Sequence, residues 1–140
     1  MLKSIPQQFR NLPTPMAGLA LGVASLGVCL ELALPLHGAA QVICALIAAV
    51  LLGLLSMRYI FHFDTLAADL RHPVLGSIAP TFAMCLMVLS KTLGMVSTTA
   101  GTALWLFAVL LHVVFLVVFA YNRFKTPGLD LMVPSWFVPP

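Results

Sequence analysis

The chain has 140 residues, of which 61% are hydrophobic and 8% charged, with a formal net charge of +3 and a mean hydropathy of +1.08. A water-soluble domain carries about a quarter charged residues, so too little polar surface is present to coat a globule, and the solvent for most of the chain is lipid. So small a basic excess gives no reason to expect a nucleic-acid partner.

Residues 1–15 hold Lys3 and Arg10 and are read as a cytoplasmic N-terminus. Four apolar runs then follow, each long enough to cross a bilayer as a helix, which takes about 20 residues. They cover about 16–34, 38–61, 74–93 and 102–121, followed by a cytoplasmic loop over 122–133 and the onset of a further helix at 134–140. No period-two alternation runs through them, so a barrel is excluded. The expected fold class is an all-α membrane protein with two helical hairpins and the start of a fifth span.

The loop cations orient the spans. Lys3, Arg10, Arg58, Arg71, Arg123 and Lys125 fall on one side and Lys91 on the other, which makes the former side cytoplasmic and the protein a multi-pass one of the inner or plasma membrane. Tyr59, Trp105 and Tyr121 lie near span ends, where aromatic belts belong. No small-x-small cleavage site follows a short apolar core, so the first span reads as a retained helix. Arg58 and His62, with Asp64, Asp69 and Arg71 after them, read as an interfacial anchor and a solvated loop. Cys29, Cys44 and Cys85 lie far apart inside apolar runs and read as small core residues.

The prolines repeat. "LPTPMAGLALGVASLG" opens the first span with Pro15, "HPVLGSIAPTFAMCLMVLS" carries Pro73 and Pro80 into the third, and "VPSWFVPP" has Pro134 and then Pro139 and Pro140. The second and fourth spans contain none. The unit is a hairpin whose first helix is proline-marked and whose second is plain, a type of repeat common in transport proteins. Pro80 in mid-span removes a backbone donor and clashes with the preceding turn.

These three stretches resemble the tellurite-resistance/dicarboxylate transporter family, which includes bacterial tellurite-resistance proteins, malate and sulfite transporters, and plant slow-type anion channels. The resemblance implies a ten-helix fold of five hairpins around a quasi-fivefold pore, lined by the odd helices and assembled as a homotrimer. It implies pore-lining positions at Pro15, Gly18, Gly22, Ser77, Pro80 and Thr81, and transport of a small anion such as malate or another C4-dicarboxylate, tellurite or sulfite. It also implies that these residues form the N-terminal part of a longer chain, with no counterpart for the phenylalanine that plugs the channel members.

Individual residues carry alternatives. Gly18 and Gly22, with Ser25 on the same face, serve either close helix packing or a thin pore wall. Ser77 and Thr81 offer hydroxyls to an anion or to carbonyls freed at Pro80. Lys91 either snorkels to headgroups or draws anions to a pore mouth. His112, the titratable group deep in a span, is a hydrogen-bonded structural residue or a functional one. No catalytic constellation, metal cluster or cofactor motif is present, so an enzyme is not expected. Two other readings compete. A truncated or purely structural membrane protein is one. The other is a small four-helix multidrug antiporter, which needs a carboxylate in the middle of its first span, whereas Glu31 falls at the end.

Overall fold

The computed structural model describes residues 13–61, 63–71 and 73–125. Lys3, Arg10, His62, His72 and the expected fifth-helix onset at 134–140, with Pro134, Pro139 and Pro140, lie outside the described residues. The elements are α1 (Met16–Ala33), α2 (Ala39–Phe61), α3 (Phe63–Arg71), α4 (Pro73–Ile78), α5 (Pro80–Val96) and α6 (Thr98–Lys125). Among the described residues there is no strand, and four helical runs are long and apolar enough to cross a membrane: Met16–Ala33, Ala39–Phe61, Leu75–Val96 and Thr98–Asn122. The protein is an all-α membrane protein built from two hairpins, α1–α2 and α4/α5–α6.

Local chemistry sets the ends. The amides that open α1 are met by the Pro-rich entry, with Met16 N–H donating to Pro13 O at 3.0 Å and Ala17 N–H to Thr14 O at 3.1 Å. Leu34 leaves α1 in extended backbone, as a residue before proline must. The chain reverses through His37 and Gly38, whose φ values are 56° and 88°. The left-handed region suits glycine and strains a residue with a Cβ. Gly38 N–H donates to Glu31 Oε1 at 2.6 Å, which fixes this corner against the last turn of α1.

In lipid, helices associate by close packing and buried hydrogen bonds. Ala17, Ala20, Ala24 and Gly27 form the buried face of α1, and Ala20 and Ala24 meet Ala48 and Leu52 of α2 and Cys85 of α5. At Gly27 an added methyl would lie 2.5 Å from Cys44 Cβ, so this glycine sets the spacing of the first hairpin. In the second hairpin a methyl on Gly101 would lie 2.6 Å from Gly94 Cα. The two hairpins meet mainly through α1 and α5, the helices that Pro15 and Pro80 open.

The third span is divided. Ala79 separates α4 from α5, Ala79 N–H still reaches Leu75 O at 3.0 Å, and Phe82 N–H turns back to Ala79 O at 3.1 Å. Ile78 O, which a regular helix would pair with Phe82, takes the Thr81 hydroxyl at 2.7 Å instead. The fourth span, α6, runs unbroken to Lys125, past the 102–121 span read from the sequence, with the Lys125 ammonium 4.5 Å over the Tyr121 ring.

The stretch after α2 departs from the solvated loop that the sequence suggests. Residues 63–71 are helical, and Asp69 is 6% exposed and paired with Arg58, itself 7% exposed. Charges so deeply buried need a partner. The two are eleven positions apart, and a turn of chain brings them together. Asp64 remains exposed.

Candidate functional site

Gly18, Gly22, Ser25 and Cys29 recur at helical spacing along one side of α1, next to its packed face. A methyl on Gly18 or Gly22 would meet nothing within 4 Å. These two glycines therefore bring no helix close among the described residues; that role falls to Gly27. Cys29 is exposed and Cys44 half-buried, so of the three free cysteines only Cys85 is a core residue.

Pro80 is fully buried on α5. Ser77 and Thr81 flank it and are half-buried, while Pro15, at the entry to α1, is exposed. The Thr81 hydroxyl proton is committed to Ile78 O. Of its two sequence readings the structure supports satisfaction of a carbonyl left over at the break.

Toward the Ser97 end, Ser25, Val28 and Cys29 of α1 face Met87, Val88 and Lys91 of α5 across an open groove of about 340 Å³. Lys91 is exposed at its rim. Nearby, Gln41 Nε2 donates to Thr92 Oγ1 at 3.1 Å, tying the start of α2 to α5. Glu31 belongs to the α1–α2 corner, with Oε1 on Gly38 N–H and Oε2 buried without a partner among the described residues.

At the opposite end, one turn before Gly18, lies a cluster that sequence reasoning missed. Thr14 Oγ1 donates to Asp69 Oδ2 at 2.5 Å, Arg58 Nη1 donates to Thr14 Oγ1 at 3.0 Å, and Arg58 Nη2 lies 3.1 Å from Asp69 Oδ2. The Arg58 guanidinium also lies 5.5 Å from the Tyr59 ring, and Tyr59 meets Phe82 edge-on at 6.2 Å. The cluster thus reaches from the start of α1, through α2 and α3, to the first turn after Pro80. The one available signal was a cation and an acid inside otherwise apolar surroundings.

His112 is half-buried on α6, and its Nδ1 is buried with no hydrogen-bond partner among the described residues. It lies between Ala108 and Phe115, which are buried, so it belongs to the side of α6 that faces inward and apart from the α1/α5 surface. Among the described residues no group of His, Cys, Asp and Glu could hold a metal ion.

The α1/α5 surface therefore has an apolar, glycine-thinned middle, a broken helix beside it, Lys91 toward one end, and the buried Arg58–Asp69 pair of α2 and α3 toward the other. Comparison with known proteins bears on what such a surface is for. A family model described as a voltage-dependent anion channel, SLAC1, matches residues 11–140. The chain is also 30% identical over 95 residues to the uncharacterized transporter MJ0762 of Methanocaldococcus jannaschii, across 65% of this chain and 28% of that protein. A second transporter from the same organism, MJ0576, is 30% identical over 88 residues, covering 60% of this chain and 25% of its own length. The matched stretch is thus about a quarter of the length of these curated relatives. No solved structure matches the chain.

Proposed function

The chain belongs to the SLAC1 family of voltage-dependent anion channels, and on that premise we propose that it forms part of the wall of a membrane pathway for small anions. The observation that carries this reading is the α1/α5 surface: Gly18 and Gly22 leave open space beside the only span that is broken among those described. A helix interrupted at membrane depth is tolerated where it is buried in protein or borders water, and half-helices of this sort recur at the sites of transporters.

In this reading Pro15, Gly18, Gly22, Ser77 and Thr81 border the path, and Pro80, itself enclosed by protein, breaks the helix behind them. With the Thr81 proton already donated to Ile78 O, this hydroxyl has only lone pairs to offer and does not hold the anion. Selection then rests on the overall potential and on the main chain of the broken helix. Lys91 at the groove rim raises the local anion concentration. The middle is left without a fixed charge, so that an anion enters and leaves without being trapped. C4-dicarboxylates such as malate, or oxyanions of the tellurite and sulfite type, suit a path of this kind. The N-terminal side faces the cytoplasm of a cell membrane, the assembled protein is a homotrimer, and the protein is a conduit and no enzyme.

Flux measurements test this. The protein reconstituted in liposomes is expected to pass chloride or malate and to exclude potassium, and Gly22→Phe is expected to abolish the flux while leaving the protein folded. Potassium passing as readily as the anions would overturn the assignment.

A further inference from the structure

The Arg58 end already holds a carboxylate, and holds it incompletely. Thr14, Arg58 and Asp69 are all more than nine-tenths buried. Thr14 Oγ1 and Arg58 Nη2 both converge on a single oxygen of Asp69, Oδ2, at 2.5 and 3.1 Å. Arg58 Nη1 is used by Thr14 Oγ1 at 3.0 Å. Arg58 Nε is buried and has no hydrogen-bond partner among the described residues.

Guanidinium geometry makes that last fact informative. Nε–H and one N–H of Nη2 point along the same edge of the planar group, the edge that a carboxylate bridges with both oxygens in a fork. Asp69 reaches only the Nη2 corner. Its carboxylate is tethered to α3, and from there it leaves the adjacent donor unmet. A buried donor without a partner is unfavourable, and a carboxylate free to choose its own position would satisfy both corners.

We propose that Arg58 and Thr14 form a binding site for a carboxylate anion, and that Asp69 occupies this site when the anion is absent. Exchange leaves one negative charge on Arg58 throughout, so no uncompensated cation is buried at any stage. The incoming anion bridges Nε and Nη2, and the released Asp69 turns to water. Release has a mechanical result, because Asp69 ties α3 by an ion pair to Arg58 of α2 and by a hydrogen bond to Thr14, just ahead of α1. Residues 63–71 lead directly into α4 and the break at Pro80. The proposal rests on the reading of the protein as an anion conduit for its place in function, since a conduit brings carboxylates to this end.

The test uses the full chain in lipid nanodiscs and does not read flux. Sodium succinate is expected to speed hydrogen exchange of the 63–71 amides several-fold and to saturate, with sodium chloride at equal ionic strength having no such effect. Equal exchange in the two salts would overturn the proposal. Asp69→Asn removes the competing charge, and succinate is expected to raise its melting temperature at lower concentration than it does for the unmodified protein. Arg58→Lys on that background, which deletes the fork, is expected to abolish the succinate effect; its persistence would also overturn the proposal. Should Asp69→Asn fail to fold, the exchange experiment on the unmodified chain decides alone. A protein that binds succinate here yet passes no anion in liposomes would count against the conduit and leave the site standing.

Discussion

The two spans of the second hairpin solve the same problem in opposite ways. α6 runs 28 residues without interruption, and in its spanning window only 11% of residues are buried inside the protein. Leu106, Phe107, Leu110, Val113 and Val117 all face outward, each at least half exposed. Such a helix presents side chains to lipid and keeps every backbone bond within itself. Its partner is broken at Pro80, and its window is 28% buried. Pro80 and Cys85 are enclosed outright, and Thr81 and Ser90 donate their hydroxyls to main-chain carbonyls one turn back. In this hairpin the interrupted helix is the one whose neighbours and own hydroxyls make good the loss, and the whole one is the more exposed of the two.

Substitutions can break or sharpen that contrast. The largest effect is expected at the base of the broken span, where Arg58→Ala would strand Asp69 in a buried site. Removing one partner of a buried ion pair costs about 3–5 kcal/mol, read as a lowered midpoint of thermal unfolding in detergent. Next comes Gly27→Ala, which forces α1 and α2 apart because the new methyl would collide with Cys44 Cβ at 2.5 Å and Ala40 O at 3.0 Å. Overpacking of this kind costs about 1–3 kcal/mol. Gly22→Ala meets nothing and is expected to be neutral or stabilising by up to about 1 kcal/mol from helix propensity alone.

A matched pair of threonines gives the finest comparison. Thr81→Val strips Ile78 O of its 2.7 Å hydroxyl donor at the break, where no amide replaces it, at a cost of about 1 kcal/mol. Thr102→Val removes a 2.9 Å bond to Thr98 O at the exposed start of an intact helix, and is expected to stay within about 0.5 kcal/mol of the parent. Equal losses at the two sites would mean that the break is no more demanding than any other turn. Smallest of all, Leu110→Ala on the outward face of α6 trades lipid contact for lipid contact and should leave the unfolding midpoint unmoved in the same assay.

Much of this was open to reading from the chain. The four spans follow from run length, and the division of the third follows from Pro80, because a missing N–H leaves its mark in any environment. The choice between the two faces of α1 was hidden. Small residues line both, Ala17, Ala20, Ala24 and Gly27 on one and Gly18, Gly22 and Ser25 on the other. Spacing alone favours the G-x-x-x-G pair, whereas the partner helix lies on the other face. The Arg58 cluster was hidden for a related reason. Charges at the end of a span look solvated in one dimension, and only tertiary packing places Thr14, 44 positions from Arg58, against the pair. His112 stayed open for the same cause, since spacing cannot say whether an imidazole finds a donor across a helix interface.

Gly94 and Gly101 bring α5 and α6 so near that main chain touches main chain beside Ser97. Separation at that crossing is fixed by peptide groups, which do not compress or change rotamer. The hairpin therefore behaves like a pair of shears riveted close to the tip. Any change in its opening angle leaves the Ser97 corner almost stationary and is magnified at the far handles, where Phe119 and Asn122 lie beside Leu70 and Gly76.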